Sequence, residues 1–315
     1  MSIRGIVSRL LQVIITLIGV TFITFCLSYI APGDPAMTVL ETAEISVSQE
    51  TLESTRHEMG LDRPFLVQYG SWLGQAVRGD LGQSYSAKKP VVDKMKEAAP
   101  ATILLAFMSI AFMLVTAVPL GIITALKRNH WVDYLLRIVT FFAVSMPTFW
   151  TGLMLLYFFG LKLGWFTIGS SKASFEGAVL PALTLAFFMG GKYMRQMRLI
   201  VLEELEKEYV LGMRARGLST TRIILHHVLP NTILPLITLL GMSIGWLLGG
   251  VAVVEIIFSW PGLGKMAINA IAMRDYPLIE GFVLWIALAY ICLNFLVDLS
   301  YSWLDPRLSK EGHEK

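Results

Sequence analysis

Long apolar runs with almost no charge recur along this sequence and restrict the fold more than any other feature. Each run approaches the length of about 20 residues that a helix needs to cross the hydrocarbon core of a bilayer. Inside a bilayer the backbone must satisfy its own hydrogen bonds, so unbroken runs of this length predict helices rather than strands. The runs are 10–33, 100–126, 138–161, 177–191, 231–254 and 281–303. The fourth run spans only if it continues into the basic stretch KYMRQMRLI. We therefore predict an all-α polytopic membrane protein with six transmembrane helices.

The composition agrees with a membrane protein. Only 16% of the residues are charged, whereas soluble domains carry about 25%. The net charge of +3 is too small to indicate nucleic acid as a partner. Cys26 and Cys292 lie in apolar runs and provide neither a disulfide framework nor metal-ligand spacing. The first run is longer than the apolar region of a signal peptide, so we expect a retained helix.

Lysine and arginine are unevenly distributed among the connections. They cluster in the N-terminal segment, in the second and fourth connections and near the C-terminus. Because basic residues in short loops stay on the cytoplasmic side, this distribution predicts cytoplasmic N and C termini. The predicted organisation is a tail and first helix at 1–33, an external loop with interfacial helices at 34–99, a five-helix core at 100–304 with a cytoplasmic elbow at 201–230, and a cytoplasmic tail at 305–315.

The first external loop contains a helical pattern in DRPFLVQYGSWLGQAVRG. Phe65, Tyr69 and Trp72 fall on one face of a helix. Asp62 is placed to cap its start, and Gly79 to end it. The aromatic face predicts either a helix at the depth of the lipid headgroups or a helix packed on the rest of the protein, and both remain open. In the last external connection, WPGLG indicates a turn and KMAINAIAMRD a short helix.

No pattern in the sequence is typical of an enzyme site. P-loop and HExxH motifs do not occur. His226 and His227 are adjacent and point about 100° apart on a helix, so they do not share a face as metal ligands would. Asp298 is the charged residue inside the runs, and its position near the cytoplasmic end favours helix-end packing over a proton relay. We expect no catalytic residue, no metal site and no cofactor bound by this chain.

Prolines interrupt three of the runs, at Pro119, Pro147 and Pro181. Each removes a backbone hydrogen bond and bends its helix, and bent helices can frame a pathway. Pro147 lies near the middle of its run in VSMPTFW, so Met146 and Pro147 are candidate pathway-lining residues. Glu255, just after the fifth run, is a third candidate. Proline is also common in membrane helices, so a purely structural role stays open.

The connection between the fourth and fifth runs concentrates charge, glycine and proline in EYVLGMRARGLSTTRIILHHVLPNTILP. Tyr209, Val210 and Met213 fall close to one helical stripe. Gly217 lies on the same stripe and is placed to end this helix in a left-handed conformation. The pattern predicts a short helix with a small apolar face.

A second helix is predicted directly after the first. Ser219 is placed to cap it, and Pro230 to bend the chain into the fifth run. The result is a helix–turn–helix elbow at the membrane surface, and its small apolar face between charges suits docking into a groove of a partner. A solvated loop is the alternative.

This segment resembles the EAA loop of permease subunits of ATP-binding-cassette (ABC) importers, in the version that contains RARGL. Further similarities to the peptide/nickel branch occur in order along the chain, in SYIAPGDPA, GLDRPFLVQYGSWL, VSMPTFW, EIIFSWPGLGKMAINAI, RDYPLIEG and LVDLSYSWLDPRL. The resemblance implies the type I ABC importer permease fold and a coupling helix that sits in a cleft of an ATPase subunit, with Ala215 and Gly217 at the closest contact. The implied coupling residues are Tyr209, Val210, Met213, Arg214, Ala215, Arg216, Gly217 and Leu218. The chain departs from many relatives at Pro230, where they carry a polar or basic residue.

The resemblance also implies an assembly in a bacterial cytoplasmic membrane. Its members are a second homologous permease that forms a heterodimer with this chain, two cytoplasmic ATP-binding subunits and an external solute-binding protein. ATP and Mg²⁺ would be held by the ATP-binding subunits. The expected function is a translocation path driven by ATP hydrolysis in those partners.

The solute is less constrained than the transporter class. Nickel or a metal chelate, and dipeptides or oligopeptides, are all carried by this branch. Stretches such as PGDPAMTVL and STRHEMGLD look closer to the nickel members, so nickel is favoured and peptides stay open. The alternative function is an ATP-independent secondary carrier or channel, which would predict inverted repeats or ionisable residues near mid-membrane.

Overall fold

The structure is a computed structural model, and it describes residues 3–42, 48–167, 169 and 173–304. Within these residues the chain is helical apart from turns and one isolated bridge between Gln83 and Pro90. The helices are α1 Ile3–Ile30, α2 Pro35–Thr42, α3 Gln49–Glu58, α4 Phe65–Ala76, α5 Val91–Leu126, α6 Trp131–Ser145, α7 Thr148–Leu155, α8 Phe175–Leu205, α9 Glu208–Ala215, α10 Thr220–Ile223, α11 Leu229–Gly250, α12 Ala252–Ile257, α13 Leu263–Ala272 and α14 Tyr276–Leu304. The π-helical segments Leu156–Lys162 and Ile224–Val228 continue α7 and α10. The predicted tail at 305–315 lies outside the described residues.

The predicted all-α, multi-span architecture is confirmed. In the described part of the chain, five helical stretches are long and apolar enough to cross a membrane by themselves. They are Val7–Ile30, Val91–Leu126, Phe175–Leu205, Thr220–Leu248 and Tyr276–Ser300. A bent pair, Trp131–Ser145 with Thr148–Lys162, supplies a sixth span if it is counted as one.

Pro147 breaks the third span. The two helices on either side of it are bent by 104°. Met146 adopts an extended conformation, with φ −81° and ψ 132°, because a following proline ring disfavours helical geometry. Pro181 instead lies inside the continuous helix α8. Of these two prolines, Pro147 divides its span and Pro181 does not.

The residues described divide into two compact units, and the first comprises Met1–Thr102 and Pro261–Cys292. In this unit α4 packs on α1 through aromatic rings. The Tyr69 ring lies 5.2 Å from that of Phe22 and 5.5 Å from that of Phe25, and its hydroxyl lies 3.1 Å from the Thr21 hydroxyl. The aromatic face of α4 was predicted either to lie among lipid headgroups or to pack on the protein. The structure shows that it packs on the protein.

The predicted cap of α4 is wrong. Asp62 does not bond to the helix start, where Pro64 occupies the capping position without a side-chain hydrogen bond. Its carboxylate instead lies 2.7 Å from His57 Nδ1. This hydrogen bond lowers the pKa of Asp62. Gly79, with φ +84°, follows the last turn as expected.

A second apolar cluster in the first unit joins α5, α13 and α14. Val91, Met95 and Ala98 pack against Leu263, together with Ala270 and Leu278. The Leu263 amide donates to Thr102 Oγ1 at 2.8 Å. The predicted short helix in the last external connection is present as α13 and is fixed to the start of the second span.

The second unit comprises Ile103–Trp260 and the chain from Leu293 onward. Its centre is the packing of α6 against α8. Gly191 permits this approach, because a Cβ there would lie 3.0 Å from Ala143 Cβ and 2.9 Å from Val144 Cγ2. Beside this contact, Arg198 donates two hydrogen bonds of 3.0 Å to the fully buried Asp133. Small residues and one buried ion pair therefore hold the two helices together.

Candidate functional site

The elbow between the fourth and fifth spans begins with a short, sharply ended helix. Helix α9 follows α8 after a turn at 206–207. At its end Gly217 has φ +79°, and the Leu218 amide donates back to the Met213 carbonyl at 3.2 Å. The Gly217 amide donates to the Arg214 carbonyl at 2.9 Å. This pair of bonds is the Schellman motif, which requires a residue in the left-handed region. The prediction that Gly217 ends the helix is confirmed.

The apolar stripe of α9 faces the protein interior. Val210 has no exposed surface and belongs to a cluster with Ala125, Met197, Val201, Ile223 and Val228. Met213 and Leu218 are half-buried against the same cluster. The prediction that this stripe presents Val210 to a partner is therefore wrong, because its side chain is already used to attach α9 to α8 and α10.

The outer face of α9 carries a different set of residues. Arg214, Ala215, Arg216 and Gly217 are all exposed. Leu211, which is not among the predicted coupling residues, is a large apolar side chain on this face and is 57% exposed. The face available to another protein is therefore basic and small, with one exposed leucine.

A buried carboxylate holds the base of the elbow. Glu204, at the end of α8, is 5% exposed and accepts hydrogen bonds from Lys207 Nζ at 2.5 Å and from the Tyr209 hydroxyl at 2.6 Å. Asn231 Nδ2, on α11, donates to the same carboxylate at 2.8 Å and lies 3.2 Å from the Tyr209 oxygen. Glu204 thus joins the fourth span, α9 and the fifth span.

Glu204 is not recognisable in the sequence, because it lies among other acidic residues in LEELEKEY, a pattern typical of a solvated helix end. Its i,i+3 spacing to Lys207 was the one local signal. Partial burial, and next the hydrogen bond to Glu204, raise the pKa of Tyr209 to about 12. Tyr209 therefore stays a neutral donor, which is how it contacts the carboxylate.

The second half of the elbow differs from its prediction. Ser219 occupies the position before α10 but makes no side-chain capping hydrogen bond. Helix α10, the π-helical segment and α11 form one continuous stretch, Thr220–Leu248, so Pro230 does not separate an elbow helix from the fifth span. The π-helical segment directly precedes Pro230, and such widened turns commonly accommodate a residue that disturbs regular hydrogen bonding. The fifth span therefore begins inside the elbow.

The three candidate pathway residues lie in the second unit. Met146 is half-buried and Pro147 exposed, at the break in the third span. Glu255 is fully buried on α12, which packs on α7. The backbone carbonyl of Glu255 accepts from the Trp260 amide at 2.7 Å. The helix that follows Pro147 and the helix that carries Glu255 are thus in contact.

Comparisons with known proteins cover nearly the whole chain. The family described as binding-protein-dependent transport system inner membrane component matches residues 117–310, and the N-terminal component of the same system matches residues 2–106. A probable D,D-dipeptide transport system permease protein, DdpB of Escherichia coli (strain K12), is 36% identical over 96% of both chains. The glutathione transport system permease protein GsiC of Escherichia coli (strain K12) is 34% identical over 96% of this chain and 98% of its own.

Solved structures agree with the fold. Two inward-facing crystal forms of the MetNI methionine ABC transporter match 67% of this chain and 96% of theirs, at 17% identity and with TM-scores of 0.52 and 0.55. At this identity the similarity concerns the fold alone, which is that of a type I importer permease. In such systems ATP is hydrolysed by the partner ATPase subunits, and the permease is not an enzyme. The chain therefore belongs to the family of binding-protein-dependent transport system inner membrane components, as a multi-pass inner membrane permease subunit of an ABC importer.

Proposed function

We propose that this permease forms the translocation path for short peptides. The observation that carries the proposal is the identity of 34–36% with a dipeptide and a glutathione permease along 96% of the chain. Glutathione is itself a tripeptide, so both relatives are named for solutes with peptide bonds. This support outweighs the local similarities that favoured nickel, and nickel becomes one arm of the test.

The proposed topology places both termini and the elbow in the cytoplasm. The connection between the fourth and fifth spans is rich in lysine and arginine, as are the second connection and the C-terminal segment, and basic short loops remain cytoplasmic. In this topology the outer face of α9, with Arg214 and Arg216, is directed toward the cytoplasmic ATP-binding subunits. The partners are two such subunits holding ATP and Mg²⁺, a second homologous permease that makes a heterodimer, and an external solute-binding protein.

The proposed mechanism is a change between two arrangements of the helices that is biased from both sides of the membrane. Closure of the ATPase pair would move α9. Tyr209 on α9 donates to Glu204 of the fourth span at 2.6 Å and accepts from Asn231 of the fifth span at 3.2 Å, so movement of α9 passes to both spans. Rigid attachment of this kind lets a local displacement produce a hinge or shear motion of packed helices.

Uptake of labelled solutes tests the solute class. A strain without its own peptide and nickel importers would express this chain with its partner genes, and uptake of a labelled dipeptide, glutathione and ⁶³Ni²⁺ would be measured. We expect peptide uptake that disappears when the ATPase partner carries a disabling change in its nucleotide site. Uptake of nickel without peptide would overturn the solute assignment, and uptake that survives loss of the ATPase would favour the carrier alternative.

Site-directed crosslinking tests the elbow as the ATPase contact. In a chain whose native cysteines are replaced by serine, Ala215→Cys is expected to crosslink to an ATP-binding subunit, because Ala215 is exposed on the outer face. Val210→Cys in the same helix is the matched control, since that side chain is fully buried, and it should not crosslink. Equal crosslinking from both positions, or none from Ala215→Cys, would contradict the docking geometry.

A further inference from the structure

The first unit contains a cavity of about 940 Å³. Its walls come from the end of α1, from α2 to α4, from the segment 81–88 and from the first turns of α14. Ligand pockets are typically about 300–1,000 Å³ in volume, so the cavity has room for a small solute. The connection after the first span and the start of the sixth span lie on the same side of the membrane, which is the external side in the proposed topology.

One buried carboxylate in this cavity has no counter-ion. Glu280, in the second turn of α14, lines the cavity and is 4% exposed. Among the described residues no hydrogen bond or ion pair engages its carboxylate. Removing a carboxylate from water is costly unless a cation or hydrogen-bond donors compensate it. The Glu280 carboxylate therefore has no bonded cation or donor in the described part of the chain, and a ligand could supply one.

The other acidic groups nearby are satisfied, which makes Glu280 exceptional. Asp34 also lines the cavity, and Arg56 Nε donates to it at 2.8 Å. Asp275 is fully buried, and it accepts from the Ser84 hydroxyl at 2.6 Å and from the Ser86 hydroxyl at 2.7 Å. The fold thus provides partners for these two carboxylates and none for Glu280.

The same cavity is also lined by the cations Arg56, Arg63 and Lys88, of which Arg56 pairs with Asp34, and by several neutral donors, two of which matter here. Tyr85 is one, and burial, with smaller effects of Glu280 and Asp275, raises the pKa of its hydroxyl, so the phenol stays protonated. Trp72 is the other, and its buried indole N–H has no hydrogen-bond acceptor in the described part of the protein. A cavity with an unpaired carboxylate and neutral donors is complementary to a molecule that carries an ammonium group beside a carbonyl. The N-terminal end of a peptide has this chemistry.

We propose that the cavity is a binding site for the N-terminal end of the peptide substrate, in which Glu280 pairs with the ammonium group. The proposal rests on peptides being the solute. It assigns the first unit a role in receiving the peptide after its release from the binding protein. An ammonium group delivered to a buried carboxylate gains a charge-assisted hydrogen bond, which is stronger than a neutral one.

The test uses the complete importer in proteoliposomes, with the binding protein saturated by a labelled dipeptide or by its desamino analogue, in which hydrogen replaces the ammonium group. Three variants are compared with the unmodified complex. Glu280→Gln removes the charge, Glu280→Asp keeps it on a shorter side chain, and Glu53→Gln is the matched control. Glu53 is an exposed carboxylate on α3 and does not line the cavity. The amount of assembled complex is measured first for each variant.

Glu280→Gln is expected to lower dipeptide uptake by about tenfold, the scale of a lost hydrogen bond to a charged group, and to leave uptake of the desamino analogue unchanged. Glu280→Asp should retain part of the preference for the dipeptide, and Glu53→Gln all of it. If Glu280→Gln does not assemble, the preference is measured in Glu280→Asp, where it should be reduced. A preference that is unchanged in the Glu280 variants overturns the proposal.

Two further outcomes distinguish this proposal from the proposed solute class and from a contact between Glu280 and the binding protein. Absence of peptide uptake by the unmodified complex refutes the proposed solute, whatever the variants do. If Glu280→Gln weakens the ATPase stimulation caused by the ligand-free binding protein, the ammonium group comes from a side chain of that protein. That result overturns the assignment of Glu280 to the peptide.

Discussion

The hydroxyl of Tyr209 should control how firmly α9 is attached to the spans. In the structure this hydroxyl donates to the buried carboxylate of Glu204 at 2.6 Å. Tyr209→Phe removes that bond and preserves the ring. Asn231 keeps its own bond to Glu204 at 2.8 Å, so the substitution leaves no amide without a partner.

The expected magnitude follows from this single bond. A hydrogen bond to a charged group contributes about 1.5–3 kcal/mol. Tyr209 is 37% exposed, so water replaces part of the lost interaction and the lower end, about 1.5 kcal/mol, applies. Since about 1.4 kcal/mol corresponds to a factor of ten, local opening of the elbow should become about tenfold more frequent.

Hydrogen–deuterium exchange of the nucleotide-free importer measures this opening. Amides of 209–218 should exchange about tenfold faster in Tyr209→Phe, and ATP-driven uptake should fall. Tyr157→Phe is the control, because Tyr157 is 50% exposed and its hydroxyl bonds to no described residue. Exchange that is the same in Tyr209→Phe and in the unmodified protein would refute the attachment through Glu204.

Three other predictions follow from the second unit. Gly191→Ala places a Cβ within 3.1 Å of α6, including a backbone oxygen, and should destabilise the solubilised complex by about 1–3 kcal/mol; Gly190→Ala, which meets nothing within 4 Å, should not lower its melting temperature. Arg198→Met leaves the buried carboxylate of Asp133 with Arg137 alone and should cost about 3 kcal/mol in thermal or denaturant unfolding, the lower end for a broken buried pair, and adding Asp133→Asn should restore part of the loss if the ion pair is responsible. The raised pKa of Tyr209, about 12, means that its neutral form stabilises the elbow below pH 10 and that this contribution is lost between pH 10 and 12; the tyrosinate absorbance missing from Tyr209→Phe should therefore titrate near pH 12, and titration near 10 would contradict the hydrogen bond.

The elbow illustrates which parts of a site follow from sequence. Gly217 was predictable because a left-handed residue at a helix end is a local requirement of the backbone, and glycine meets it at the lowest steric cost. The orientation of Val210 was not predictable, since an apolar stripe on a short helix can face either a partner or the chain's own interior. The interior cluster that decides this includes Ala125, far away in the sequence.

The buried acidic residues also show the difference between what sequence predicts and what the folded chain decides. Glu204 and Glu280 look like ordinary acidic residues at helix ends. Their sequence neighbours do not reveal that Glu204 accepts hydrogen bonds from three donors and Glu280 from no described residue. Asp62 is the opposite case: its spacing fitted a helix cap, and the folded chain brought His57 closer.

The sequence by itself determined the helical class and the positions of the membrane-spanning stretches, because the hydrocarbon thickness of a bilayer acts on contiguous residues. Tertiary structure alone decided which face of α9 remains free, which carboxylates obtain partners and where a cavity forms. The physical reason is that burial and pairing depend on groups that lie up to 191 residues apart, and only the packed helices bring those groups into contact.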